Sequence, residues 1–96
     1  MINLEPDELA LLKAILIKHL PNQTIWLFGS RATAQIKPYS DIDLAIITTV
    51  PISSDVLALL ESELAESDLS YKVDLVDWSR IDESFKSIIR SCYEVI

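Results

Sequence analysis

Glycine is nearly absent from this chain: its 96 residues contain one, Gly29. Glycine supplies positive φ and lets other groups approach the backbone closely, so the place of a single glycine is informative. Cysteine is equally scarce, with Cys92 alone. That excludes an internal disulfide and a multi-cysteine zinc site, and it fits a reducing cytosol. Basic residues are outnumbered, with 8 Lys and Arg against 15 Asp and Glu, for a net charge of −7. A duplex-gripping protein presents a basic face, so this balance argues against direct nucleic-acid binding. It is compatible with an acidic cluster that recruits a divalent cation, or with a basic protein partner. The longest apolar stretches are broken by Lys13 or Lys18 well short of a membrane span. Glu5, Asp7 and Glu8 stand where a secretory leader would be basic, so a cytoplasmic protein is expected.

What is present is a core. Hydrophobic residues make up 50% of the chain and the mean hydropathy is +0.30, which argues against disorder and for one domain over residues 1–96. Glu5-Pro6-Asp7-Glu8 reads as a helix start, because proline suits the first turn and acids suit the positive end of the dipole. Leu9, Leu12 and Leu16 then recur at helical spacing until Pro21-Asn22 stops the helix. Thr24 to Phe28 is β-branched and aromatic, hence a strand. Ser30 to Ala34 predicts a short helical turn, and Ile36 to Ser40 a loop. Asp41 to Thr48 is a second strand. Pro51 to Asp55 leads into a helix with Val56, Leu57, Leu60 and Leu64 on its apolar face. Tyr71 to Val76 is a third strand. Ser79 with Asp82 resembles a capping box, and Ile81, Phe85, Ile88, Ile89 and Cys92 mark one face of a last helix. The expectation is an α/β (α+β) fold, a three-stranded mixed sheet flanked by helices in the order α-β-α-β-α-β-α.

The chemistry-bearing residues sit at the ends of these strands. Side chains alternate along a strand, so Asp41 and Asp43 share one face while Ile42 and Leu44 take the core. Two carboxylates roughly 7 Å apart along a strand can converge on one ion, and their hard oxygens suit Mg²⁺ or Mn²⁺. On the third strand Asp74 alternates against Val73 and Leu75, which brings it off the core face in mid-strand. A carboxylate there is costly unless solvated, paired or metal-bound. If the two strands are neighbours, Asp74 joins Asp41 and Asp43 to hold metal and to accept a proton from an attacking hydroxyl. Asp77, at the strand end, is the competing acid and is read instead as a cap for the last helix. Opposite them, Gly29-Ser30-Arg31 closes the first strand. Its backbone amides and the Ser30 hydroxyl form an anion site, and Arg31 is placed to clamp phosphate oxygens. His19, Cys92, Trp26 and Trp78 are read as structural. Lys18, Lys37, Lys72 and Lys86 are read as solubility charges, with Lys37 also within the site loop.

Gly29-Ser30, ten residues, then Asp41-Ile42-Asp43 resembles the signature of the minimal nucleotidyltransferases, a branch of the DNA polymerase beta superfamily. Arg31-Ala32, Ser40 and the later Val-Asp-Leu-Val segment extend the resemblance over nearly the whole chain. The family implies ATP as substrate, two Mg²⁺ ions, and transfer of a nucleoside monophosphate with release of pyrophosphate. It assigns Gly29, Ser30 and Arg31 to the nucleotide and Asp41, Asp43 and Asp74 to metal and catalysis. Many members continue with a basic residue and a glycine where this chain has Thr33 and Ala34, a departure that would weaken phosphate contacts. The family also implies a partner, because its members often act as antitoxins beside a helical HEPN-domain toxin and some adenylylate a toxin tyrosine. The expected activity is therefore AMP transfer from ATP to a hydroxyl of a HEPN toxin. The competing reading is a module with weak or no catalysis that neutralises the toxin by occlusion.

Overall fold

The computed structural model describes residues 2–32 and 41–96. Helix α1 runs Pro6–His19, with Pro6 in its first turn and Asp7 and Glu8 beside it, as the charge pattern predicts. It buries Leu12, Ile15 and Leu16. Each such side chain is worth roughly 1.5–3 kcal/mol on full burial. Strand β1 (Thr24–Phe28) follows and ends where Gly29 takes φ +74°. A four-residue 3₁₀ turn, Gly29–Ala32, comes next. Thr33 and Ala34, with the predicted loop of Ile36 to Ser40, lie outside the described residues.

Strand β2 (Ile42–Ile47) lies antiparallel to β1. Helix α2 (Ser54–Glu66) then crosses over, so that β3 (Val73–Asp77) runs parallel to β2. Ser53 is its N-cap, accepting a hydrogen bond from the Val56 amide at 3.2 Å. A short 3₁₀ turn, Trp78–Arg80, leads to α3 (Glu83–Ser91). The sheet has four strands rather than the expected three, in the order β3-β2-β1-β4. The addition is β4 (Tyr93–Val95), antiparallel to β1. Three residues carry too little periodicity to be seen alone; their hydrogen bonds exist because β1 would otherwise be an open edge.

Alternation sorts the sheet into two faces. Leu27, Ile42, Leu44, Ile46, Val73 and Leu75 pack with α1 and α2 in the main core. Phe28, Ala45 and Val76 face the other way, beneath Ile89 and Phe85 of α3. Two features of α3 differ from expectation. Its cap is Asp82, which accepts from the Phe85 amide at 2.9 Å, and Ser79 belongs to the preceding turn. A Ser-x-x-Asp spacing fits both arrangements, because Asp82 is itself a good cap. Ile88 is 65% exposed and Cys92 is an exposed C-cap, so only Ile89 of that predicted stripe is fully buried. His19, at the end of α1, meets Glu63 of α2 at 2.9 Å, and Lys18 meets the same carboxylate oxygen at 2.7 Å.

Asp77 ties the far end of the sheet together. It is 8% exposed and accepts hydrogen bonds from the Thr48 hydroxyl at 2.6 Å, the Ile52 amide at 2.9 Å and the Ser79 amide at 3.0 Å. Burial alone would raise its pKa, but the hydrogen bonds from Thr48, Ile52 and Ser79 outweigh it and hold the carboxyl below the ordinary value. Asp77 therefore belongs to the scaffold and caps the turn after β3 rather than α3. Asp77→Ala leaves two buried donors unsatisfied and should lower unfolding stability by roughly 3 kcal/mol at neutral pH. A group with a depressed folded pKa stabilises above its unfolded value, near 3.9, and loses that contribution as pH falls through the folded value. The gap between wild type and variant in urea unfolding should therefore narrow below about pH 4.

Candidate functional site

The register of the sheet places Asp43 and Asp74. Asp43 of β2 pairs with Asp74 of β3, and on its other side with Phe28 of β1, which in turn pairs with Tyr93 of β4. Residues in register share a face, so Tyr93, Phe28, Asp43 and Asp74 form one row across the sheet. The flanking row, Glu94-Leu27-Leu44-Leu75, points into the core side. Asp74 is thus on the same face as Asp43, away from the main core. Asp41 lies one residue before β2 and is exposed. The ladder nevertheless continues toward it, since the Ile42 amide donates to the Lys72 carbonyl at 2.8 Å.

The acids are electrostatically close. Asp43 has its pKa pushed up, first by burial, then by the charge of Asp74, then by that of Asp41. Asp74 is 43% exposed at its side chain, and Lys72 approaches it to 3.5 Å. Lys72, read from sequence as a solubility charge, therefore partly balances the row. Among the described residues, no three His, Cys, Asp or Glu side chains are gathered closely enough to hold a metal ion. The donor chemistry fits a hard cation all the same. Two carboxylates stand in register, a third adds repulsion, and one of them is disfavoured as an anion until positive charge arrives.

Gly29 meets this row directly. A Cβ built on it would collide with Asp43 Oδ2 and stand 3.3 Å from Asp43 Cγ. The glycine turn and the Asp43 side chain are therefore in contact. Ser30 follows in the 3₁₀ turn, half-buried. Arg31 is placed differently from expectation. It is 4% exposed, donates to the Asn3 carbonyl at 3.2 Å, and stacks its guanidinium 3.7 Å from the centre of the Tyr71 ring. Those contacts pin the turn to the N-terminal segment and to the chain leading into β3. Nothing local in the sequence signals them, because Asn3 and Tyr71 are remote from Arg31 along the chain. A hollow of about 610 Å³ lies between α2 and the outer edge of β3 and reaches the row at Asp74. Gly29 and Asp43 do not line it. Lys37, Ser40, Thr33 and Ala34 lie outside the described residues.

A turn without side-chain bulk, set against paired acids at the ends of neighbouring strands, is the layout of an enzyme that moves nucleotidyl groups. The profile of the family described as "Polymerase beta, Nucleotidyltransferase" matches residues 11–96. This chain belongs to that family. It is 43% identical over 95 residues to the probable protein adenylyltransferase MntA of Haemophilus influenzae, covering 99% of this chain and 83% of that protein. Among solved structures it resembles a complex of a tri-AMPylated Shewanella oneidensis HEPN toxin with an MNT antitoxin, at 26% identity and a TM-score of 0.65 over 93% of this chain and 67% of that one. A toxin–antitoxin structure with AMP-PNP matches at 24% identity and a TM-score of 0.74, over 96% of this chain and 72% of that one, which establishes the shared fold.

The strain in the acid row has a thermodynamic signature. A carboxyl whose folded pKa is raised loses stability as pH climbs from its unfolded value through the folded one. Asp43→Asn should therefore raise the urea midpoint at neutral pH in the absence of divalent cations, and the gain should vanish below about pH 4, where both forms are uncharged. An Asn variant no more stable than wild type at pH 7 would mean that neither burial nor the neighbouring acids disfavour the Asp43 carboxylate.

Proposed function

We propose that this chain is a protein adenylyltransferase, moving AMP from ATP onto a hydroxyl of a HEPN-domain toxin that it accompanies as antitoxin. The observation that carries the reading is the in-register pairing of Asp43 with Asp74 beside the Gly29 turn. The 43% identity to a probable protein adenylyltransferase gives the reaction class, and the structural match to an MNT antitoxin on its AMPylated toxin gives the partner.

In this reading the amides of Gly29 and the hydroxyl of Ser30 hold the triphosphate. Asp41, Asp43 and Asp74 would hold Mg²⁺, with phosphate oxygens completing a shell that three carboxylates alone do not close. The metal supplies charge neutralisation on the phosphates when bound. Asp74 would take the proton of the incoming hydroxyl. The acceptor oxygen bonds to the α-phosphorus, the bond to the pyrophosphate oxygen breaks, and pyrophosphate leaves. Arg31 acts through the turn it anchors. The acidic balance of the chain suits a basic partner better than nucleic acid. The free thiol of Cys92 is consistent with a reducing cytoplasm. Among the described residues no helix is long and apolar enough to cross a membrane.

The test combines the purified chain, ATP, Mg²⁺ and a HEPN-domain toxin. Intact-mass spectrometry should show the toxin gaining the mass of one or more AMP groups. Asp43→Ala should slow the gain by at least about a hundredfold, the upper end of what losing a merely supporting partner costs a metal site. An unmodified toxin, neutralised equally by wild type and by Asp41→Ala/Asp43→Ala, would establish occlusion instead.

A further inference from the structure

Gly29 is constrained twice, and the two constraints are separable. Its φ of +74° favours glycine, but asparagine also visits that region. The second constraint is steric. The position that a Cβ would occupy is already taken by the carboxylate of Asp43 from the neighbouring strand. The nearest atoms are all Asp43 side chain, with Cγ at 3.3 Å and Cβ at 3.5 Å behind the colliding Oδ2. No backbone atom is among them. A substituted residue would therefore not split the sheet; it would drive the Asp43 carboxylate to another rotamer.

We infer that Gly29 is a positioning residue for Asp43: by lacking a side chain it keeps the one orientation in which the Asp43 carboxylate faces the turn within the row it shares with Asp74. This deepens the proposed function, which otherwise gives Gly29 only the phosphate. The two roles differ in consequence. A glycine needed only for phosphate approach would, when substituted, weaken ATP binding. A glycine that holds a carboxylate in place would, when substituted, move Asp43 and slow the chemical step, and its cost would depend on the Asp43 side chain.

The experiment uses Gly29→Ala and Gly29→Asn, each in the wild-type and Asp43→Ala backgrounds. Asparagine tolerates the positive φ but still carries a Cβ, so it isolates the collision. Urea unfolding should show Gly29→Asn costing less in the Asp43→Ala background than in wild type, because the colliding carboxylate is gone. A crystal structure of Gly29→Asn should show Asp43 in a changed χ1. Its kcat for AMP transfer should fall about a hundredfold, the scale of a misplaced catalytic group. Should Gly29→Asn fail to fold alone yet fold with Asp43→Ala, the coupling is shown directly. Equal unfolding costs in both backgrounds, failure to fold in both, or an unmoved Asp43 would overturn the inference. An inactive wild-type enzyme would sink the proposed reaction while the unfolding cycle and the Asp43 rotamer still decided this one.

Discussion

The parallel pairing of β2 with β3 is the constraint on which the site depends. It sets Asp43 opposite Asp74 and, one residue on, Leu44 opposite Leu75. The second pair explains the first. Leu44 is fully buried and Leu75 packs against the same core, so hydrophobic burial locks the register, and the acids on the opposite face follow. Like charges in register are unfavourable on their own, so the main core holds in place an arrangement that the acids by themselves would resist.

The fold distributes its polar interior unevenly. On the core face the acid at the end of β3, Asp77, is fully provided with donors and stays ionised cheaply. On the other face Asp43 has like charges for neighbours and its ionised form is disfavoured. One acid closes the scaffold and the other is disfavoured as an anion, although the two lie on adjacent strands of one sheet. Such a split between satisfied and strained carboxylates is how environment assigns roles to chemically identical groups.

Much of this was legible in the sequence, for a definable reason. Strand alternation is a hard geometric rule, so Asp41-Ile42-Asp43-Leu44 and Val73-Asp74-Leu75 announced which side chains leave the core. The same parity places Asp77 with Val73 and Leu75, the face on which it is found buried. The helix caps were half legible: Pro6 with Asp7 and Glu8 marked α1, whereas Ser79 and Asp82 both fitted a helix start and only the folded turn separates them. What stayed hidden is tertiary. A three-residue β4 is defined by its partner strand, not by its own pattern. Arg31 reads locally as a phosphate clamp, and its burial under Tyr71 and Asn3 comes from segments far along the chain. Cys92 falls just past the end of α3, and Ile88, within the helix, is turned to solvent while its neighbour Ile89 takes the buried face.

The two-faced sheet also dictates where the chain can change length. An insertion in the connection between α2 and β3 can be taken up as slack, because that segment runs over the surface. One residue added within 42–47 or 73–77 has no such outlet. It would rotate every later side chain of the strand by half a turn, sending carboxylates into the hydrocarbon interior and leucines into water. Divergent relatives of this protein should thus accumulate gaps between their strands and almost none within these two.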